Sequence, residues 1–223
     1  GTGRFARTMG EHRPVLLWDV LFGPRYDLTA KENQMLVLGC IRAGWVAGVW
    51  LGTPCNSFSR ARNQPGGPPA LRDKQHPHGL SGLRPCDAMA VKIGNALARF
   101  SAQVVTLCAL LLIPAAIENP ASSWLWSTCW MRSLLRRSDV HFGQTEFCMS
   151  QSLLFRKSTG LLHTNVDLSE VFSRRCLGAQ GGMCAKTKLL AQSFNRRPPQ
   201  WSFLDEDCGT LPSSAVQDIG QSF

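Results

Sequence analysis

Cys55 is the residue whose neighbours best suit it for covalent chemistry. It follows the apolar run Val46–Leu51 and the break Gly52–Thr53–Pro54, after which the chain turns polar and basic through Arg62. A buried strand ending this way carries a thiol to its C-terminal end, the edge of an open α/β sheet where ligands bind. As a thiolate it is a nucleophile; protonated and buried, it is a small core residue. A carboxylate arrives in the same manner 63 positions later, where the short strand Ala115–Ile117 ends in Glu118–Asn119–Pro120. The apolar residues before Glu118 imply partial burial. Asp19 closes the strand expected over Pro14–Val20. Asp27 follows the turn Gly23–Pro24 and either caps the next helix or meets a ligand. Paired with His76 or His78, Cys55 reads instead as a Cys/His hydrolase, a reading for which no orienting acid or oxyanion site can be assigned.

These residues need elements to position them. The pattern predicts a helix over Ala30–Ala43 stopped by Gly44, then a buried strand over Trp45–Leu51. Asn63–Pro85 is rich in proline, glycine and basic residues and reads as a long mobile loop. Asp87–Leu112 reads as a helix with Asp87 at its start and a weak point at Gly94–Asn95. Trp124, Trp126 and Trp130 are expected in the core rather than stacked on bases. The most apolar run, Val104–Ile117, is 14 residues long and holds Pro114, too short to span a bilayer, so it is read as core.

The chain has 223 residues and 44% hydrophobic residues, enough for one domain with a sizeable core and unlike a disordered composition. Its formal charge is +9; residues 1–195 hold 22 basic against 11 acidic residues, a net of +11. Such an excess suits a polyanion, with a solvated basic surface as the plain alternative. Nine cysteines with no CxxC suit reduced thiols rather than a disulfide framework. With no signal peptide at the start, an intracellular protein is expected, nuclear in a eukaryote and not secreted. Cys148, Cys176, Cys184 and His163 do not have the spacing of a common zinc site, and no metal site is assigned.

Taken in order, Gly1-Thr2-Gly3, the strand ending in Asp19, Asp27-Leu28-Thr29, Pro54-Cys55-Asn56-Ser57-Phe58-Ser59, Glu118-Asn119-Pro120 and the basic pair Arg156–Lys157 resemble the cytosine-C5 DNA methyltransferase family. The resemblance covers about residues 1–160 and is divergent: Asn56 stands where the family usually has Gln, and Pro120 where it usually has Val. It also suggests kinship with the methyltransferase-like domains of mobile elements. It implies an α/β fold, a Rossmann-like methyltransferase sheet with flanking helices whose first strand is missing or incomplete. It implies S-adenosylmethionine as cofactor, held by Gly1, Gly3, Asp19, Asp27 and Pro54. Cys55 would add to cytosine C6, Glu118 would hydrogen-bond ring N3, and Arg156 would hold the base or its phosphate. DNA, or else RNA, would be contacted by Ser59, Arg60, Arg62, Arg72, Lys74, Asn119 and Lys157, with the basic loop 60–85 closing over it. No membrane partner is implied. Residues 161–195 complete the domain or form a small appendage, and 196–223 read as a flexible tail. An inert, basic nucleic-acid-binding remnant of such a domain is the alternative.

Overall fold

The computed structural model describes residues 8–63, 67–146, 157–173 and 176. Four strands form one mixed sheet: β1 (Val49–Leu51), β2 (Ala115–Pro120), β3 (His141–Glu146) and β4 (Ser158–Thr164), in the spatial order β1-β2-β4-β3. β1 and β2 are parallel, with Val49 opposite Ala115 and Leu51 opposite Ile117. β4 is antiparallel to both of its neighbours. So β1, β2 and β3 point the same way, and their C-terminal ends share one edge with the start of β4.

Helices cover the sheet. α1 spans Lys31–Arg42, α2 spans Pro85–Leu110, α3 spans Cys129–Leu134 and α4 spans Ser169–Ser173. The chain is thus an α/β protein built on a βαβ unit, β1-α2-β2, with an antiparallel addition. Ile117, Leu162 and Ala115 on one face of the sheet join Val104, Val105 and Cys108 of α2 in the core, with Trp124, Leu125 and Met131 beside them. On the other face Gly143 lies against the ring of Phe172 in α4. α2 is long and apolar enough to cross a membrane, but half of its most apolar window is buried against the sheet, as in a core helix.

The run Val104–Ile117 divides between helix and strand. Pro114 cannot continue a helix, and Leu112 turns into the left-handed region (φ 58°) just after α2. Ile113 N–H donates to the Cys108 carbonyl at 2.9 Å, closing the helix end. Asn165, beyond β4, donates its amide to the carbonyls of Cys108 (3.1 Å) and Ile113 (3.2 Å). These bonds satisfy acceptors that a helix terminus leaves open.

Three expectations are corrected. Pro14–Val20 forms no strand; residues 14–19 are irregular and lead into a 3-10 turn at Val20–Phe22. No described strand pairs with that segment, and Val15 and Leu16 are exposed. The strand expected over Trp45–Leu51 shrinks to Val49–Leu51 and is half exposed, with Trp45 80% open to solvent. Gly44, at φ 72°, turns the chain out of α1, and only from Val49 does it reach β2. The loop after Asn63 is irregular, as expected, but it is tied inward rather than swinging free: Leu71 and Arg72 are buried, and Leu80 N–H donates to the Leu71 carbonyl at 3.0 Å.

Candidate active site

The C-terminal edge of the sheet assembles Cys55, Glu118 and Lys157. β1 delivers Cys55 four residues past Leu51, where it caps a 3-10 turn, Asn56–Phe58, whose Phe58 N–H donates to the Cys55 carbonyl at 3.0 Å. Glu118 lies within β2, opposite Leu161, because the strand runs through Pro120 rather than ending at Ile117. Lys157 immediately precedes β4, and its Nζ is 3.5 Å from Glu118 Oε1. Both side chains are partly buried, so Glu118 meets the partial burial expected of it.

The electrostatics of the thiol follow from this placement. Burial pushes the Cys55 thiol above its ordinary value; Lys157 pulls it down and Glu118 pushes it up. Burial is the largest of these, so the thiol rests protonated near neutral pH. A cation lies beside Cys55, as covalent chemistry requires, but it does not outweigh desolvation.

Behind the thiol runs a chain of buried hydrogen bonds. Asn119 Nδ2 donates to the Thr53 carbonyl at 2.6 Å, and Thr53 Oγ1 and Ser101 Oγ share a hydrogen at 2.8 Å. β2, the Pro-Cys segment and α2 are thereby locked together. Asn119, expected to contact nucleic acid, is 2% exposed and positions the thiol segment instead. Its Oδ1 has no partner among the described residues.

Arg72, also expected on nucleic acid, is corrected in the same way. It is 1% exposed. Its guanidinium donates to the carbonyls of Ser57, Pro77 and Val91, to Asn95 Oδ1 and to Ser57 Oγ, and it stacks 3.8 Å over the Phe58 ring. Every one of these acceptors is neutral, and burial pulls the guanidinium down to about 10, still charged at neutral pH. Gly94 makes this packing possible. A Cβ there would stand 2.5 Å from Ser57 Oγ and 3.1 Å from Arg72 Nη2.

The remaining basic residues divide. Arg60 is exposed and lies 4.0 Å over the Trp124 ring. Lys74 is exposed. Arg62 is half-buried, donating to the Pro69 carbonyl and paired with Asp87 at 3.5 Å. Ser59 Oγ accepts from Ala61 N–H. Pro54 is exposed beside Cys55. Arg156, Gly1, Gly3, Cys148 and Cys184 lie outside the described residues. Cys176 is buried, and among the described residues no three potential ligands converge on a metal.

The two acids expected to hold a cofactor are committed to turns. Asp19 Oδ1 accepts from Leu21 N–H at 3.0 Å. Asp27 Oδ1 accepts from both Thr29 N–H and Thr29 Oγ1 at 2.8 Å, closing a local turn; α1 is capped at Ala30 with no side-chain hydrogen bond, so Asp27 does not cap that helix. The strand that was to carry Asp19 is absent, so among the described residues no cradle for S-adenosylmethionine is built.

The tryptophans follow the core expectation in part. Trp124 is buried, Trp126 meets Phe142 edge-on at 4.9 Å, and Trp130 meets the His78 ring at 4.7 Å. Both histidines of the hydrolase reading are engaged elsewhere. His76 pairs with Asp73 at 3.0 Å, and His78 Nε2 accepts from Cys129 N–H.

Ser101 is not marked by the sequence, and Thr53, Ser57 and Asn95 carry no role there. The one signal was Gly94–Asn95, two poor helix formers inside a long helix, which marked the place where Arg72 docks.

The thiols give a pH dependence. Cys108, fully buried in α2, is pushed up to about 11 by burial. Above the ordinary thiol value of 9.0 the unfolded chain releases this proton while the folded chain keeps it, so stability falls as pH rises. Cys55 acts in the same direction. Arg72 opposes them from about 10 upward, because its folded-state value is lowered. Thermal melts from about pH 8 to about pH 10 are expected to show a falling midpoint, with a shallower fall in Cys108→Ala. A flat profile in the unsubstituted chain would contradict the burial of these thiols.

No family model, curated protein or solved structure matches this chain.

Proposed function

We propose that the Cys55 edge is the nucleobase half of a cytosine-C5 methyltransferase-like site acting on DNA. The observation that carries this reading is the convergence of Cys55, Glu118 and Lys157 from three separate chain segments at one sheet edge. A Pro-Cys thiol beside a strand-borne glutamate is what the motif resemblance asks for. The finer fold reading, a Rossmann-like methyltransferase sheet, draws support from the β1-α2-β2 unit.

The chemistry is balanced on the chain's own groups. The Cys55 sulfur bonds to cytosine C6, and the C5–C6 π electrons move toward N3. The thiol proton leaves as the C–S bond forms, and its destination is ring N3, to which Glu118 hydrogen-bonds. The product is an enamine nucleophilic at C5. Lys157 favours the anionic sulfur; Arg156, which the resemblance puts on the base or its phosphate, lies outside the described residues. The methyl group would come from S-adenosylmethionine, whose binding would fall to residues outside those described; C5 would then lose its proton to solvent as the C6–S bond breaks and the sulfur leaves as thiolate, freeing the methylated base. The base must leave the helical stack to reach the thiol. Of the cations expected on nucleic acid, Arg60 and Lys74 are exposed and available for phosphates. A DNA substrate and reduced cysteines suit an intracellular setting.

A second reading has its own observation. Asp19 and Asp27 are taken up in local turns and burial raises the Cys55 thiol, which favours an inert nucleic-acid-binding domain. Incubation with DNA containing 5-fluorocytosine, with and without S-adenosylmethionine, separates the two. A denaturation-resistant adduct mapping to Cys55 is expected. An adduct that persists in Cys55→Ala sinks the mechanism, and DNA binding with no adduct supports the inert domain.

A further inference from the structure

We propose that Arg72 is the positioning residue of the thiol-bearing turn: its buried guanidinium holds Ser57 and Phe58, and through them Cys55. The inference rests on the reading that Cys55 is the reacting group. It changes the role of the basic loop from a free lid to the anchor of the site.

The geometry is that of a three-way clamp. Arg72 lies 15 residues downstream of Ser57, yet two of its five hydrogen bonds return to that residue, one to the carbonyl and one to the hydroxyl. A third and a fourth reach α2, at the Val91 carbonyl and at Asn95. The fifth closes on its own loop at Pro77. Asn95 holds the loop a second time through the His78 carbonyl, at 2.8 Å. The guanidinium face covers Phe58, which is fully buried. Loop, helix and thiol turn therefore share a single fixed cation.

A packing role alone accounts poorly for this choice. Burying a guanidinium among neutral acceptors carries a desolvation cost that an apolar side chain would avoid. What arginine supplies is a rigid planar fork that meets several acceptors at set angles. Lysine keeps the charge and loses the fork.

The test reads Cys55 directly and needs no methyl transfer. The intact chain and its variants are alkylated with iodoacetamide across pH, and each cysteine is followed by peptide mass spectrometry, with buried Cys108 as the internal standard. In Arg72→Ala the turn loosens and Cys55 loses the burial that holds its thiol up. A fall of one unit raises its alkylation near neutral pH about tenfold. Cys108 stays protected, added guanidinium ion at concentrations below denaturing restores the slow rate, and Arg72→Lys behaves like Arg72→Ala. An unchanged Cys55 profile in folded Arg72→Ala overturns the proposal. So does parallel exposure of Cys55 and Cys108, which would make Arg72 a support of the whole fold. If Arg72→Ala does not fold, Ser57→Ala removes one acceptor of the clamp; a smaller shift of the same sign is expected, and no shift overturns the proposal. The two readings fail separately. An Arg72-dependent profile in a chain that never forms the cytosine adduct removes the methyltransferase reading only. An adduct formed by Arg72→Ala at an unchanged rate removes the clamp only.

Discussion

Glu118→Gln is expected to slow adduct formation with 5-fluorocytosine DNA by about 10²- to 10⁴-fold, the range for a lost proton-transfer group. The substitution keeps the shape and the strand pairing, since Glu118 pairs with Leu161 through its backbone. It removes the carboxylate that would share a proton with ring N3. Two electrostatic changes accompany it. The negative charge that pushes the Cys55 thiol up disappears, and Lys157 loses its partner at 3.5 Å. Both lower the thiol. Cys55 should then react faster with a small alkylating agent at neutral pH while it reacts more slowly with cytosine. Such opposite movement distinguishes loss of a base-directed group from loss of the nucleophile. Parallel declines in the two rates would contradict the role given to Glu118.

Phe58→Ala is expected to cost about 3–5 kcal/mol of stability, a large part of the roughly 5–15 kcal/mol that holds a domain folded. Phe58 is fully buried in the core cluster, and its loss leaves a cavity between the thiol turn and α2. It also strips the ring from beneath Arg72, so a buried cation loses its aromatic face. Denaturant unfolding would measure the loss. A change under about 1 kcal/mol would mean that the site collapses to fill the gap or that the ring is not packed as described.

Elements with a strong local signal were legible in the sequence. α1 and α2 lie within two residues of their expected bounds, because helical periodicity and the stop at Gly44 act locally, although α2 starts at Pro85 and Asp87 sits in its first turn rather than capping it. Cys55 and Glu118 were legible because each follows an apolar run with a turn signal nearby, although β2 continues through Glu118 to Pro120. Lys157 was legible only as a basic residue in the right order. What failed depended on distant partners. Pro14–Val20 has the composition of a strand, but a strand needs a neighbour to pair its backbone, and no described segment supplies one. Arg72 has the composition of a surface cation. Its burial depends on acceptors contributed by the Ser57 turn, by Val91 and Asn95 in α2 and by Pro77, an assembly no window of sequence displays. Asn119 misled in the same way, since its amide is fixed by Thr53, 66 residues earlier.

The link from Asn165 to the end of α2 has a consequence for how the chain is made. The Cys108 carbonyl has a local donor in Ile113 N–H, but both it and the Ile113 carbonyl also take a bond from a side chain 57 and 52 residues further along. During synthesis the helix emerges first, and until β4 has left the ribosome its last turn has no Asn165 to meet it. Long-range closure of this kind is slow compared with helix growth. The leucines 110–112 beside that turn stay exposed in the finished fold, so completing the sheet closes the helix end without covering this apolar patch.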